Sequence, residues 1–191
     1  MSEISRRLDF LVERLRTAYD GIGHSSGRPY VYFVYPPEQE LAVRRLVDES
    51  LRDDGILCYH HIDLLPLTIE SLAGQEKKRQ ELLNDPTKGA AVAIVRLWAR
   101  ALGKAIAKRL EHECQGRPVV VLRGLAALHP LGNPTSLMEA LAEQEPRDPK
   151  TNRIVPIVLL VPGTRPAQTS RTYLFLGLER LRLEFYRGEE A

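Results

Sequence analysis

Two apolar runs constrain this chain more than anything else in it: Ile154 to Thr164, IVPIVLLVPGT, and Pro118 to Gly124, PVVVLRG. Neither alternates with polar residues. β-Branched runs without alternation are the pattern of strands covered on both faces, the central strands of a parallel sheet. Ligands and partners of such sheets are met at the carboxyl ends of the strands. The loops expected to begin at Gly124 and Pro162 are therefore the first places to look for function.

Around these runs the other elements follow from periodicity. Ile4, Leu8, Leu11, Leu15 and Tyr19 share one helical face, and Gly21 and Gly23 stop that helix. The loop GIGHSSGRP follows a helix rather than a strand, so its glycines do not form a phosphate loop, which needs strand, loop and helix in that order. Tyr30 to Tyr35 is the first predicted strand, ended by Pro36-Pro37. A helix follows with Leu41, Val43, Leu46, Val47 and Leu51 inside, Glu38 and Glu40 at its positive end, and Asp53-Asp54-Gly55 closing it. Ile56 to Leu64 is the second strand, completing a β-α-β unit with an expected right-handed crossover. One helical segment is expected over Pro66 to Asn84, broken by DPTKG, and a long helix from Ala90 to about Cys114. Pro118 to Arg123 is the third strand; Asn133-Pro134 caps a short helix carrying Leu137, Met138 and Leu141. Gln144 to Arg153 is expected to be a mobile polar turn, and Ile154 to Val161 the fourth strand. The segment after Pro162 is expected to be loop with a short helix. Leu181 to Tyr186 alternates as a fifth strand open on one side, before a charged tail, RGEEA.

This order predicts one α/β domain over residues 1–191, a three-layer sandwich around a mainly parallel five-stranded sheet. It also resembles the core of AAA-type and RecA-type ATPases. In those cores strand one leads into the phosphate loop, strand three ends in an acidic metal-binding residue, and strand four ends in a sensor. Here YPPEQEL follows strand one with no GxxxxGK[ST], Lys88-Gly89 lies in an unrelated loop, and strand three ends in Arg123-Gly124. The expectation is a degenerate core without its phosphate loop.

Other chemistry finds little support. Ser136 and Ser170 lack a G-x-S-x-G context. His129 has neither nucleophile nor paired carboxylate beside it in sequence. Cys58 and His60 share one strand face and His61 and Asp63 the other, but no second ligand cluster matches them, since His24, His112 and His129 lack ligand spacing; no metal site is expected. Cys58 and Cys114 fit a reducing compartment, and nothing in the sequence demands a disulfide. Arg123, Arg165 and Arg171 either converge to hold an anion or acidic surface or are separate exposed arginines, the second reading being preferred. Arg96, Arg100, Lys104, Lys108 and Arg109 on the long helix form a solvated face rather than a nucleic-acid patch. With 27 basic and 25 acidic residues, net charge +2, no bulk field draws the chain to DNA or anionic membrane. No run approaches the ~20 apolar residues of a bilayer span, and the first residues lack the apolar block of a signal peptide. A soluble cytoplasmic protein is expected.

Taken together, several of these stretches resemble the BrxB family of BREX bacteriophage-resistance systems. The residues that carry the resemblance are Tyr35, Pro37, Glu38 and Glu40; VVVLRGLAALHP with Gly124 and Pro130; the helix of Leu137 and Leu141; PIVLLVPGT with Pro162, Gly163 and Thr164; Arg171 with Leu174-Phe175; and Phe185-Tyr186-Arg187. The chain departs from the family in having GNPTS where an Arg-x-His pair is usual. It also has RPAQ, keeping only Gln168, where Tyr-Asp-Gly-Gln is usual. The resemblance implies a non-catalytic subunit, without cofactor, that binds protein. The expected partner is an alkaline-phosphatase-like PglZ protein, with the large BREX ATPase next, and nucleic acid met only through the complex. Arg123, Gly124, His129, Pro162, Gly163, Thr164, Arg165 and Arg171, at the strand ends, are the candidate contact residues. The alternatives are a nucleotide-binding subunit and a DNA-binding accessory of the same system.

Overall fold

The computed structural model describes residues 2–23, 27–85, 89–144, 146–167 and 171–191; His24, Lys88, Gln168 and Ser170 lie outside them. Its strands are β1 (Tyr30–Tyr35), β2 (Leu57–Asp63), β3 (Arg117–Arg123), β4 (Ile157–Thr164), β5 (Thr172–Phe175), β6 (Arg182–Glu184) and β7 (Gly188–Glu190). The helices are α1 (Glu3–Thr17), α2 (Glu40–Ser50), α3 (Leu64–Glu70), α4 (Glu76–Asn84), α5 (Ala90–Leu110) and α6 (Pro134–Leu141). Five strands form a parallel array in the order β2-β3-β4-β1-β7, while β5 and β6 extend it antiparallel from β4. No described helix is long and apolar enough to cross a membrane.

Strand alternation divides the core in two. Tyr30, Tyr32, Val34, Val120, Leu122, Ile157, Leu159 and Val161 face one side, where α5 and α6 supply Trp98, Leu102, Ile106, Leu137 and Leu141. Val31, Phe33, Tyr35, Val119, Val121, Val158 and Leu160 face the other, against Leu8, Leu11 and Leu15 of α1 and Val43 and Val47 of α2. β1, β3 and β4 are thus covered on both faces, which explains their unbroken hydrophobicity. The chain moves from β1 to the far edge at β2 through α2, then returns through β3 and β4 with its helices on the opposite face. Reversing both direction and face keeps the crossovers of one hand.

Several expectations change. Among the described residues seven strands replace five, because two were hidden in short or polar segments. The tail RGEEA contains β7, whose Gly188 pairs with Tyr30, and Ala191 just after it donates its amide to the Tyr32 carbonyl at 3.0 Å. Glu189 and Glu190 are tolerated there because Arg14 and Arg165 pair with them at 2.7 and 2.6 Å. β4 begins at Ile157, after Pro156, and continues to Thr164. The segment expected to be loop and short helix after it carries β5 instead, and the predicted fifth strand shrinks to β6 after a 3-10 turn. The Pro66–Asn84 segment splits into α3 and α4 around Gly74 at φ +77°, where the chain turns. α5 ends at Leu110, short of Cys114. Arg96, Arg100, Lys104, Lys108 and Arg109 lie exposed along it.

The turn expected to be mobile is internally bonded over 146–153. Buried Asp148 accepts from the Thr151 hydroxyl at 2.7 Å and the Lys150 amide at 3.0 Å, and its backbone bonds Arg153 and Asn152. Cys58 and Cys114 are joined in a disulfide, with Cα atoms 6.2 Å apart. Nothing in the sequence placed Cys114, which follows α5, beside the strand carrying Cys58.

Candidate functional site

The carboxyl ends of β1, β2 and β3 come together through one network of charged side chains. β1 stops at Tyr35 because Pro36 and Pro37 have no amide hydrogens to continue a ladder, and a 3-10 turn over Pro37–Gln39 leads into α2. Tyr35 is buried, and its hydroxyl donates to the carboxylate of Glu40 in the first turn of α2. Burial first, and Glu40 second, push that phenol well above its ordinary range. One helical turn on, Arg44 donates from Nε to Glu40 at 2.7 Å and from a terminal nitrogen to Asp63 at 2.8 Å. These two carboxylates hold the guanidinium charged. Asp63 ends β2 and also caps α3, accepting from the Leu65 amide at 3.0 Å. Arg123 ends β3, donates to Asp48 of α2 at 2.7 Å, and places its buried Nε 3.9 Å from Asp63.

Gly124 follows at φ +73°, and a Cβ there would lie 2.4 Å from Asp63 Oδ1 and 3.4 Å from Arg44. Glycine is thus required twice, by its dihedral and by the carboxylate pressed against it. The network holds three carboxylates, Glu40, Asp48 and Asp63, against two guanidiniums, Arg44 and Arg123. Its cations are already matched, which leaves no surplus positive charge for a polyphosphate.

Beside the end of β2 an open groove of about 620 Å³ runs between α3 and α5. Its polar lining includes His61, Asp63, Glu70, Lys104, Arg109 and Arg123, and Pro66 and Leu67 supply apolar wall. His61 donates from Nε2 to the Leu51 carbonyl at 2.9 Å, while its buried Nδ1 has no hydrogen-bond partner among the described residues. α3 also exposes Leu65 and Ile69, one turn apart, at 53% and 65% of their surfaces. Two large apolar side chains in water beside a charged groove are the makings of a small recognition surface, an apolar centre with a polar rim.

Of the contact residues expected from sequence, Arg123 and Gly124 fall in this network. Pro162 and Gly163 are buried within β4 rather than opening a loop. Pro162 is in register with Tyr35 and its carbonyl accepts from Leu176 at 2.9 Å. Gly163 pairs with Phe175 so closely that a Cβ would lie 2.6 Å from the Leu174 carbonyl. Thr164, half-buried, pairs with Leu174. Arg165 pairs with Glu190 at 2.6 Å and lies 5.1 Å from the Phe185 ring. Arg171 is exposed and its carbonyl accepts from Phe185 at 3.4 Å. Half-buried His129 precedes a cis bond to Pro130. Arg123 and Arg165 therefore serve two separate ion-pair groups.

Sequence reasoning passed over Arg44, Asp48, Leu65 and Ile69 as site residues. The Glu40–Arg44 spacing was a legible i,i+4 pair, but its link to Asp63 depends on the crossover that lays α2 against the ends of β2 and β3. Comparison of the chain with family models, curated proteins and solved structures finds no match in any of the three.

Proposed function

We infer that this chain is a non-catalytic component of a BREX-type anti-phage system, an adaptor binding a PglZ-like protein, with the large BREX ATPase as the next partner to consider. The observation that carries the reading is the Tyr35–Glu40–Arg44–Asp63–Arg123 network. In a nucleotide-hydrolysing sheet the turn after strand one presents backbone amides and a lysine to phosphates. Here that turn begins with two prolines, which lack amide hydrogens, and its nearest side chains are carboxylates already paired with arginine. The parallel order β7-β1-β4-β3-β2, with β4 and not β2 beside β1, supports descent from an AAA- or RecA-like core. A scaffold of that kind whose phosphate position is filled retains surfaces for recognition, and Leu65, Ile69 and the adjoining groove offer one.

The test is to mix the purified chain with the PglZ-like protein of the same operon at micromolar concentration and follow both by sedimentation. A faster, mixed species is expected. Independent sedimentation of the two would overturn the PglZ assignment, and the same run with the ATPase examines the second partner. Calorimetry with ATP and magnesium tests the rival nucleotide-binding reading: no heat is expected, and saturable heat would replace the adaptor reading with it.

A further inference from the structure

At the opposite end of β2 from the charged network, the structure assigns a second cluster. Cys58 and His60 are two residues apart, so their side chains emerge on the same face of the strand. β2 is an edge of the parallel sheet, and α5 packs against it. Cys114 lies four residues beyond the end of α5, and the chain there is anchored to the start of β2. The Arg117 amide donates to Ile56 at 2.8 Å, and Gly116, at φ +103°, approaches the Ile56 backbone so closely that a Cβ would lie 2.7 Å from it. This approach fixes Cys114 beside His60. The two sulfurs lie 3.6 and 3.9 Å from His60 Nε2, and all three donor atoms fall within 4.8 Å of one another. Asp53 adds a carboxylate oxygen 3.8 Å from the Cys58 sulfur, its other oxygen being held by the Tyr59 amide at 2.7 Å.

We propose that, with both cysteines reduced, this chain binds one zinc-class divalent ion at Cys58, His60 and Cys114, with water in the fourth position. The distances favour it. Zinc bonds to sulfur at about 2.3 Å and to imidazole nitrogen at about 2.0–2.1 Å, so a tetrahedral site separates sulfur from nitrogen by about 3.6 Å. The sulfur–imidazole separations of 3.6 and 3.9 Å already lie near that value. The sulfurs, bonded in the oxidised chain, would part to about 3.8 Å around the ion. Reduction supplies the ligands: a phosphine gives two electrons to the sulfur–sulfur bond and takes the oxygen of a water molecule to become its oxide, the two protons of that water leave two thiols, and the ion displaces those protons to solvent as the thiolates bind it. Two thiolates and an imidazole suit zinc over calcium or magnesium, which prefer oxygen alone. The ion would fasten the start of the edge strand to the segment following α5 in the reducing compartment where the disulfide does not persist.

Cobalt(II), which takes the same tetrahedral thiolate sites and is coloured in them, is the probe. Full-length protein reduced with a phosphine is titrated with cobalt in the absence of oxygen, then with zinc. The expected result is one equivalent of cobalt giving thiolate charge-transfer absorption, displaced by one equivalent of zinc. Cys114→Ser and His60→Ala should each weaken cobalt binding at least ~10-fold. Wild-type protein kept oxidised should give no charge-transfer band, a control that needs no substitution and so cannot fail through misfolding. Absence of the band in reduced wild-type protein, or binding unchanged in both variants, overturns the site.

Discussion

Single residues do more than one job at the strand ends, and Gly124 shows how to separate the jobs. Its positive φ alone penalises any side chain, and so does the 2.4 Å approach of Asp63 to a Cβ. Gly55 shares the positive dihedral, φ +81°, with nothing among the described residues within 4 Å of a Cβ. Gly55→Ala should therefore cost about 1 kcal/mol and Gly124→Ala about 1–3 kcal/mol more, read as the difference between their denaturant unfolding curves. Equal costs would mean that Asp63 yields freely. Asp54 is a second residue with a measurable signature. The Leu57 amide and the Arg16 guanidinium hold its carboxyl down at about 2, against an ordinary value of 3.8. A depressed folded-state value stabilises the protein fully above the unfolded value and ceases to do so as pH falls through the folded one. Asp54→Ala should thus be destabilised relative to wild type at neutral pH, with the gap closing between about pH 4 and pH 2. A gap constant across that window would show that Asp54 does not contribute through its charge.

Among the elements, the best and worst expectations have a common physical origin. β1, β3, β4 and the apolar faces of α1, α2 and α5 were legible because one local pattern, uninterrupted apolarity or a 3.6-residue stripe, matches what covers them, except that Leu41, expected inside on α2, is exposed. β7 was invisible for the converse reason. Its GEE is made acceptable in a sheet by Arg14 and Arg165, residues 175 and 25 positions from their glutamates. The hydrogen bonds of the 146–153 turn were not legible because they come from Asp148 bonding its own neighbours, which composition does not register. The charged network was only half legible: Glu40 and Arg44 share a helix, whereas Asp63 and Arg123 reach them through the sheet order. β7 also carries a prediction. At Gly188 a Cβ would lie 2.6 Å from the Tyr32 ring and 2.7 Å from the Tyr30 carbonyl. Gly188→Val should therefore detach β7 from β1, lowering stability by about 1–3 kcal/mol and increasing hydrogen exchange at Tyr32 and Ala191. Unchanged exchange at the Ala191 amide, which donates to Tyr32, would refute the pairing.

For the molecule as a whole, the adaptor reading makes recognition separable from folding. Leu65 and Ile69 contribute little to the core, being more than half exposed, so replacing them should leave the sheet and its helices intact. The centre of a partner interface behaves differently. Burying two such side chains against another protein removes enough apolar surface that their loss weakens binding by about 2–4 kcal/mol. Introducing aspartates there adds charge desolvation to that loss. Leu65→Asp/Ile69→Asp should accordingly unfold within about 0.5 kcal/mol of wild type yet bind the PglZ-like protein at least ~30-fold more weakly. Phe10→Asp on α1 is the matched control, since Phe10 is equally exposed but belongs to the helix layer on the other face of the sheet. If both variants lose binding alike, the effect is one of surface charge in general. If neither does, the partner meets this protein away from α3 while the fold-level argument stands. Selective loss in the α3 variant alone places recognition at the carboxyl end of β2, where the charged network and the exposed apolar pair adjoin.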